Sequence, residues 1–136
     1  MTDRDKEIKA LYKKAKKFLD SAALLLEKQD YDSSISRIYY GMYYMAKSLL
    51  LTKNIKAKTH AGIIQKFGEI FIKTEIFPKT VGKDLSKAFE KRLIGDYEVF
   101  KKLEQEEVEK FLIVGKRFVK KLKRYLEQEE GFQFDG

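Results

Sequence analysis

The sequence predicts an all-α fold, an up-and-down antiparallel bundle of four main helices plus one shorter helix. Three observations carry it. Apolar residues recur at steps of three and four in five successive stretches, and no stretch shows the alternation of a strand. The link between the first two stretches, Gln29 to Tyr31, is so short that an antiparallel hairpin is the natural arrangement.

Taken in order, Thr2 or Asp3 can cap the first helix, with Asp5 and Glu7 near its positive end. Ile8, Leu11, Ala15, Phe18, Ala22 and Leu25 then mark one face over about six turns, ending near Lys28. Asp30 or Asp32 can cap the second helix, whose stretch Ser33 to Leu51 organises the rest of the chain. Ile35, Ile38, Met42, Met45 and Leu49 form one apolar line there, and Tyr39, Tyr43, Ala46 and Leu50 a second. So wide an apolar surface belongs to a helix touched on several sides. Its third face carries Arg37, Gly41, Tyr44 and Ser48, with Tyr40 at the edge. Gly41 lowers helix propensity by roughly 1 kcal/mol relative to Ala, so close approach by a neighbouring helix or a ligand is expected there.

After a basic connector, Thr59 caps a third helix with Ile63, Ile64, Phe67, Ile70 and Phe71 on one face. Pro78 and Gly82 place a break around Thr74 to Gly82. The fourth helix puts Leu85, Ala88, Phe89, Arg92, Asp96 and Val99 on a common side, with the arginine and aspartate as the exceptions to its apolar pattern. A link near Leu103 to Gln105 leads to the fifth helix, where Val108, Phe111, Gly115, Phe118, Leu122 and Tyr125 repeat a heptad-like spacing. Residues 1–128 are read as a single domain; the tail, 129–136, has no periodicity and is expected to be loose.

Composition bounds the function. A chain of 136 residues is long enough for a core without staples. The absence of cysteine excludes disulfides, thiolate metal sites and a cysteine nucleophile. With His60 as the one histidine, a multi-histidine metal site is excluded, and no paired acidic motif suggests magnesium, so no metal or cofactor is expected. The charged N-terminus lacks a signal-peptide core, and no apolar run approaches the roughly 20 residues that span a membrane. A soluble, cytoplasmic protein without membrane partners is expected. A formal charge of +8 favours anionic partners, nucleic acid or nucleotide among them, although mixed lysine and glutamate faces are commonly just solvated surface.

The chain has no P-loop, no dinucleotide-binding glycine motif, no H-E-x-x-H and no C-x-x-C. Polar candidates reduce to Arg37 with its tyrosines, the run Lys58-Thr59-His60, and the run from Arg92 to Tyr97. Each has a plainer reading. Arg37 can serve only to bond tyrosine hydroxyls, and His60 only to start a helix. Arg92 and Asp96 can form a simple intrahelical ion pair.

Together these stretches resemble the HEPN superfamily, "higher eukaryotes and prokaryotes nucleotide-binding", in its small stand-alone prokaryotic subgroup. The resemblance rests on S-R-x-Y-Y-G-x-x-Y-x-A at Ser36 to Ala46, K-T-H at Lys58 to His60, and R-x-x-x-D-Y at Arg92 to Tyr97. It runs from about Leu11 to Leu126. It implies an up-and-down bundle that commonly forms a homodimer, frequently partnered by a small nucleotidyltransferase in a toxin-antitoxin pair. It also implies metal-independent ribonuclease activity in many members, through an R-x(4–6)-H motif. Carried over, the arginine is Arg92, and Tyr97 stands where the histidine is expected, preceded by Asp96. Histidine titrates near 6.5 and tyrosine near 10, so using tyrosinate as a base at pH 7 carries a penalty of roughly 4 kcal/mol. Tyr97 can instead donate a hydrogen bond, and Asp96 can orient Arg92.

The resulting first reading is a HEPN-type protein that binds RNA or a nucleotide in a basic, tyrosine-lined cleft. Arg37 and Arg92 would hold phosphate there. Tyr40, Tyr44 and Tyr97 would stack on bases or hydrogen-bond, and His60 would contribute to binding. The second reading is an active endoribonuclease toxin using Arg92, Asp96 and Tyr97. The third is a structural dimeric adaptor whose tyrosines are core.

Overall fold

In the computed structural model, which describes residues 1–100 and 102–135, the chain folds as five α-helices and one π-helical turn. Gly136, the end of the tail, lies outside the described residues. Thr2 caps α1 (Asp3–Glu27): its hydroxyl accepts from the Asp5 backbone N–H, and the Asp5 carboxylate accepts from the Thr2 N–H. Gln29, at φ 65°, turns the chain, and the Asp30 side chain caps α2 (Tyr31–Leu51) by accepting from the Ser33 N–H.

Helix α2 is the centre of the bundle. Ile35, Ile38, Tyr39, Met42, Met45, Ala46, Leu49 and Leu50 are all buried, and α1, α3, α4 and α5 each pack against it. Two devices bring α1 close. The buried Ser34 hydroxyl donates to the Ala22 carbonyl at 2.8 Å. At Gly41 a Cβ would stand 3.2 Å from the Ala15 carbonyl oxygen and 3.0 Å from Leu19 Cδ2. The expected close approach at Gly41 is therefore made by a helix rather than a ligand. Ser48 also leaves the polar face on which its spacing placed it. It is fully buried, and its hydroxyl donates to the Met45 carbonyl one turn back.

Thr59 caps α3 (His60–Phe67), accepting from the Gly62 N–H at 2.9 Å. The helix continues into a π-helical turn, Gly68–Ile72, closed by the Lys73 N–H on the Gly68 carbonyl. Ile63, Phe67 and Phe71 are fully buried along this arm, whereas Ile64 and Ile70 are only half-buried. Pro78, in extended backbone, precedes α4 (Lys79–Tyr97). Gly82 therefore falls inside α4 rather than in the break, and Ile72 packs against its bare Cα side. The helix ends where Glu98 turns to extended backbone, so Val99 leaves the apolar side of α4 and is 84% exposed.

Helix α5 (Gln105–Glu129) packs Val108, Phe111, Phe118, Leu122 and Leu126 inward. Beyond it, where the lack of periodicity suggested a loose end, Phe132 and Phe134 lie half-buried against the core, with Phe134 4.5 Å from the Tyr12 ring. Two isolated aromatics carry no periodic signal. Among the described residues there is no strand, and no helix is long and apolar enough to cross a membrane.

Candidate functional site

Four tyrosines of α2 lie within six residues, and the helical twist deals them to different fates. Tyr39 is fully buried and Tyr43 nearly so, while Tyr40 and Tyr44 are half-buried at the surface. The Tyr39 hydroxyl lies 2.6 Å from Nδ1 of His60. Burial pushes the Tyr39 phenol well above the usual tyrosine range, against a smaller opposing pull from Arg92. The phenol therefore keeps its proton at pH 7, and the bond runs from the phenol to Nδ1 in one imidazole tautomer and from Nδ1–H to the phenol oxygen in the other. The His60 ring is stacked 4.4 Å from Tyr43 and 6.2 Å from Phe89. Burial, and secondarily the Arg92 charge, holds its pKa below the usual 6.5, so the ring is neutral at pH 7.

Arg92 comes from α4 onto the same aromatic cluster. Its guanidinium carbon lies 5.3 Å from the Tyr40 ring centre, 5.5 Å from that of Tyr39 and 6.0 Å from that of Phe89. Its Nε donates to Asp96 Oδ2 at 3.0 Å, one helical turn on. With the side chain 14% exposed, this is a partly desolvated pair rather than a surface one, and it engages only one of five guanidinium N–H groups. Gly95 allows the approach of α4: a Cβ there would stand 3.2 Å from the Asp32 carbonyl oxygen at the start of α2.

Between α4 and α2 opens a cavity of about 660 Å³ whose lining includes Asp32, Ser36, Arg37, Tyr40, Tyr44 and Asp96. Phe18 of α1 closes one side, with ring centres 5.8 Å from Tyr40 and 5.5 Å from Tyr44. The Arg37 guanidinium carbon stands 5.3 Å over Phe18. Arg37, Tyr40, Tyr44 and Asp96 thus share one opening. Arg92 abuts it through Tyr40 and Asp96, and His60 lies behind the tyrosines rather than in the lining. Tyr97 stands apart, 71% exposed at the end of α4. Phe18, Phe89 and Tyr39 were read from the sequence as core positions. Their apolar spacing gave no sign that each has an edge at the site. No group of three metal-ligating side chains occurs among the described residues.

The model of the HEPN domain family matches residues 8–125. The chain belongs to the HEPN family. A Methanocaldococcus jannaschii protein named "Putative toxin" is 37% identical over 121 residues, covering 89% of this chain and 82% of the relative. A UPF0332 protein of Thermotoga maritima is 32% identical over 127 residues, covering 93% and 96%. A second M. jannaschii protein with the same toxin designation is 35% identical over 126 residues, 93% of each chain.

In this HEPN domain Tyr97, five residues beyond Arg92 and next to Asp96, points to solvent, while the chain's histidine reaches the arginine from another helix. Arg92 and His60 meet across Tyr39 and Tyr40, each within 5.7 Å of both ring centres. Spacing along α4 alone cannot reveal this pairing, since α3 supplies one half.

Proposed function

We propose that this HEPN domain binds RNA through the cavity between α2 and α4, as the toxin-like component of a two-part system with a nucleotidyltransferase-type partner. The observation that carries the reading is the arrangement of Arg92: stacked on Tyr40, held by Asp96 and beside an open, tyrosine-lined cavity. Such a guanidinium is a phosphate contact, and Tyr40 and Tyr44 offer faces on which bases stack. The toxin designations of two relatives support the system-level part. A homodimer fits the apolar residues left outside: Tyr97, Val99 and Phe100 are 71%, 84% and 96% exposed in one run.

The test is fluorescence anisotropy with labelled single-stranded RNA in EDTA. Binding should weaken with salt and fall at least tenfold in Arg92→Ala. Arg92→Lys should recover little of it, because an ammonium lacks the planar fork. Salt-independent binding, or affinity unchanged in Arg92→Ala, defeats the proposal.

One observation favours a second reading, metal-independent RNA cleavage: a neutral histidine beside an arginine. Its chemistry uses the tautomer in which Nδ1–H donates to the Tyr39 oxygen, so that Nε2 accepts the 2′-hydroxyl proton. The 2′-oxygen then bonds to phosphorus, the bond to the 5′-oxygen breaks, and that oxygen takes a proton from a water that is in turn reprotonated by the His60 imidazolium. Arg92 would stabilise the charge on phosphorus. Cleavage in EDTA that disappears in both His60→Gln and Arg92→Ala would establish this reading over simple binding.

A further inference from the structure

We infer that the site takes an extended single strand rather than a mononucleotide, because the aromatic cavity continues over Phe18 onto an exposed lysine row of α1. This inference rests on the RNA-binding reading above and specifies its ligand.

A second cavity, of about 450 Å³, lies against α1, and Lys13, Lys14 and Lys17 stand in its lining. It shares two wall residues, Phe18 and Arg37, with the cavity between α2 and α4. The two openings are therefore neighbours, joined where Arg37 stands over Phe18. Their chemistries differ. The first combines tyrosine faces with Asp32 and Asp96, groups suited to bases and sugar hydroxyls. The second holds four cations, counting Arg37, and no acid. All three lysines are exposed, and none is ion-paired with a carboxylate among the described residues. Lys14 also lies 4.6 Å from the centre of the Tyr44 ring, linking the row to the stacking platform.

Four like charges on one face repel each other unless an anion covers them. A single nucleotide in the tyrosine cavity leaves the lysines uncovered, whereas a strand placing bases on Tyr40 and Tyr44 carries its backbone across Arg37 onto them. The α1 wall runs from Ala10 to Ser21. At 1.5 Å per residue that is roughly 16 Å, room for at most about five nucleotides at 3.4 Å each. A duplex fits poorly, since its bases are already stacked on one another.

The experiment compares AMP with labelled RNA strands of two to ten nucleotides and with an RNA duplex, on the full chain. Affinity should rise at least tenfold from AMP to the strands that cover both cavities and then level off within the series, with the duplex binding more weakly. Lys13→Glu with Lys17→Glu should weaken the long strand at least tenfold and leave AMP unaffected. The same change should reduce the log–log salt slope by about 1.4, from two phosphates at 0.7 each. Lys120→Glu with Lys121→Glu, on α5 and in neither cavity wall, is the charge-matched control, and circular dichroism checks folding. Equal loss in that control means net charge alone is sensed, and the lysine row is refuted. AMP binding without length dependence refutes the strand but keeps the tyrosine site. Binding of neither refutes both.

Discussion

The bond between Tyr39 and His60 can be weighed by a double-mutant cycle. Tyr39 is 0% exposed, and its hydroxyl lies 2.6 Å from Nδ1. Replacing His60 with Phe keeps the ring stacked on Tyr43 but leaves a buried hydroxyl without its partner, a loss of about 2 kcal/mol. Replacing Tyr39 with Phe is milder, about 1 kcal/mol, because His60 is only half-buried and water can reach its ring. The double variant puts apolar rings at both positions and should lie within roughly 1 kcal/mol of the parent chain, since removing both partners can be nearly neutral. The coupling is then at least about 2 kcal/mol, well above the roughly 0.5 kcal/mol scatter of independent sites. Urea unfolding followed by circular dichroism reads it as midpoint shifts of the order of 1 M at a slope near 2 kcal/mol per M. Additive losses would show that hydroxyl and imidazole are not bonded.

Other outcomes follow from the same geometry. His60 has a folded pKa below its unfolded value of about 6.5, so the unfolded chain binds the proton first as pH falls. Its contribution should hold above pH 6.5 and fade as pH drops through the window between the unfolded and folded values; denaturation midpoints of the parent and His60→Phe across pH 5–8 check the slope. Tyr97→His should leave cleavage absent and lower RNA affinity no more than about tenfold, because Tyr97 is 71% exposed and apart from the cavity; cleavage gained in gel assays of this variant would place position 97 in the chemistry. Val99→Glu with Phe100→Glu should convert a homodimer to monomer in light scattering while changing the unfolding midpoint little, since the two are 84% and 96% exposed; a dimer that persists moves the interface elsewhere.

The helices were legible because their signals are local. Thr2, Asp30 and Thr59 each cap the helix that follows, and the apolar lines of α2 are the buried ones. Val99 misled because periodicity does not register that Glu98 has left the helix. Ser48 misled because a small hydroxyl can satisfy itself on its own helix and be buried. At the site, Arg37, Tyr40, Tyr44, Arg92 and Asp96 were legible as polar exceptions on helical faces. What the pattern could not hold is assembly between helices. Phe18 reads as core on α1 yet walls the cavity, and His60 reads as a helix start yet meets Arg92 across tyrosines from α2.

Three glycines set how closely the bundle packs around α2. Gly41 seats α2 against the Ala15 backbone, Gly95 seats α4 against Asp32, and Gly115 seats α5 so that a Cβ would stand 2.8 Å from Ile38 Cγ2. Helix α2 is thus pinned from three sides, with bare backbone taking part at each pin. A methyl group at position 41, 95 or 115 would have to displace Leu19, Ile35 or Ile38 or push the paired helices apart, so the bundle closes around α2 only because these three positions carry no side chain.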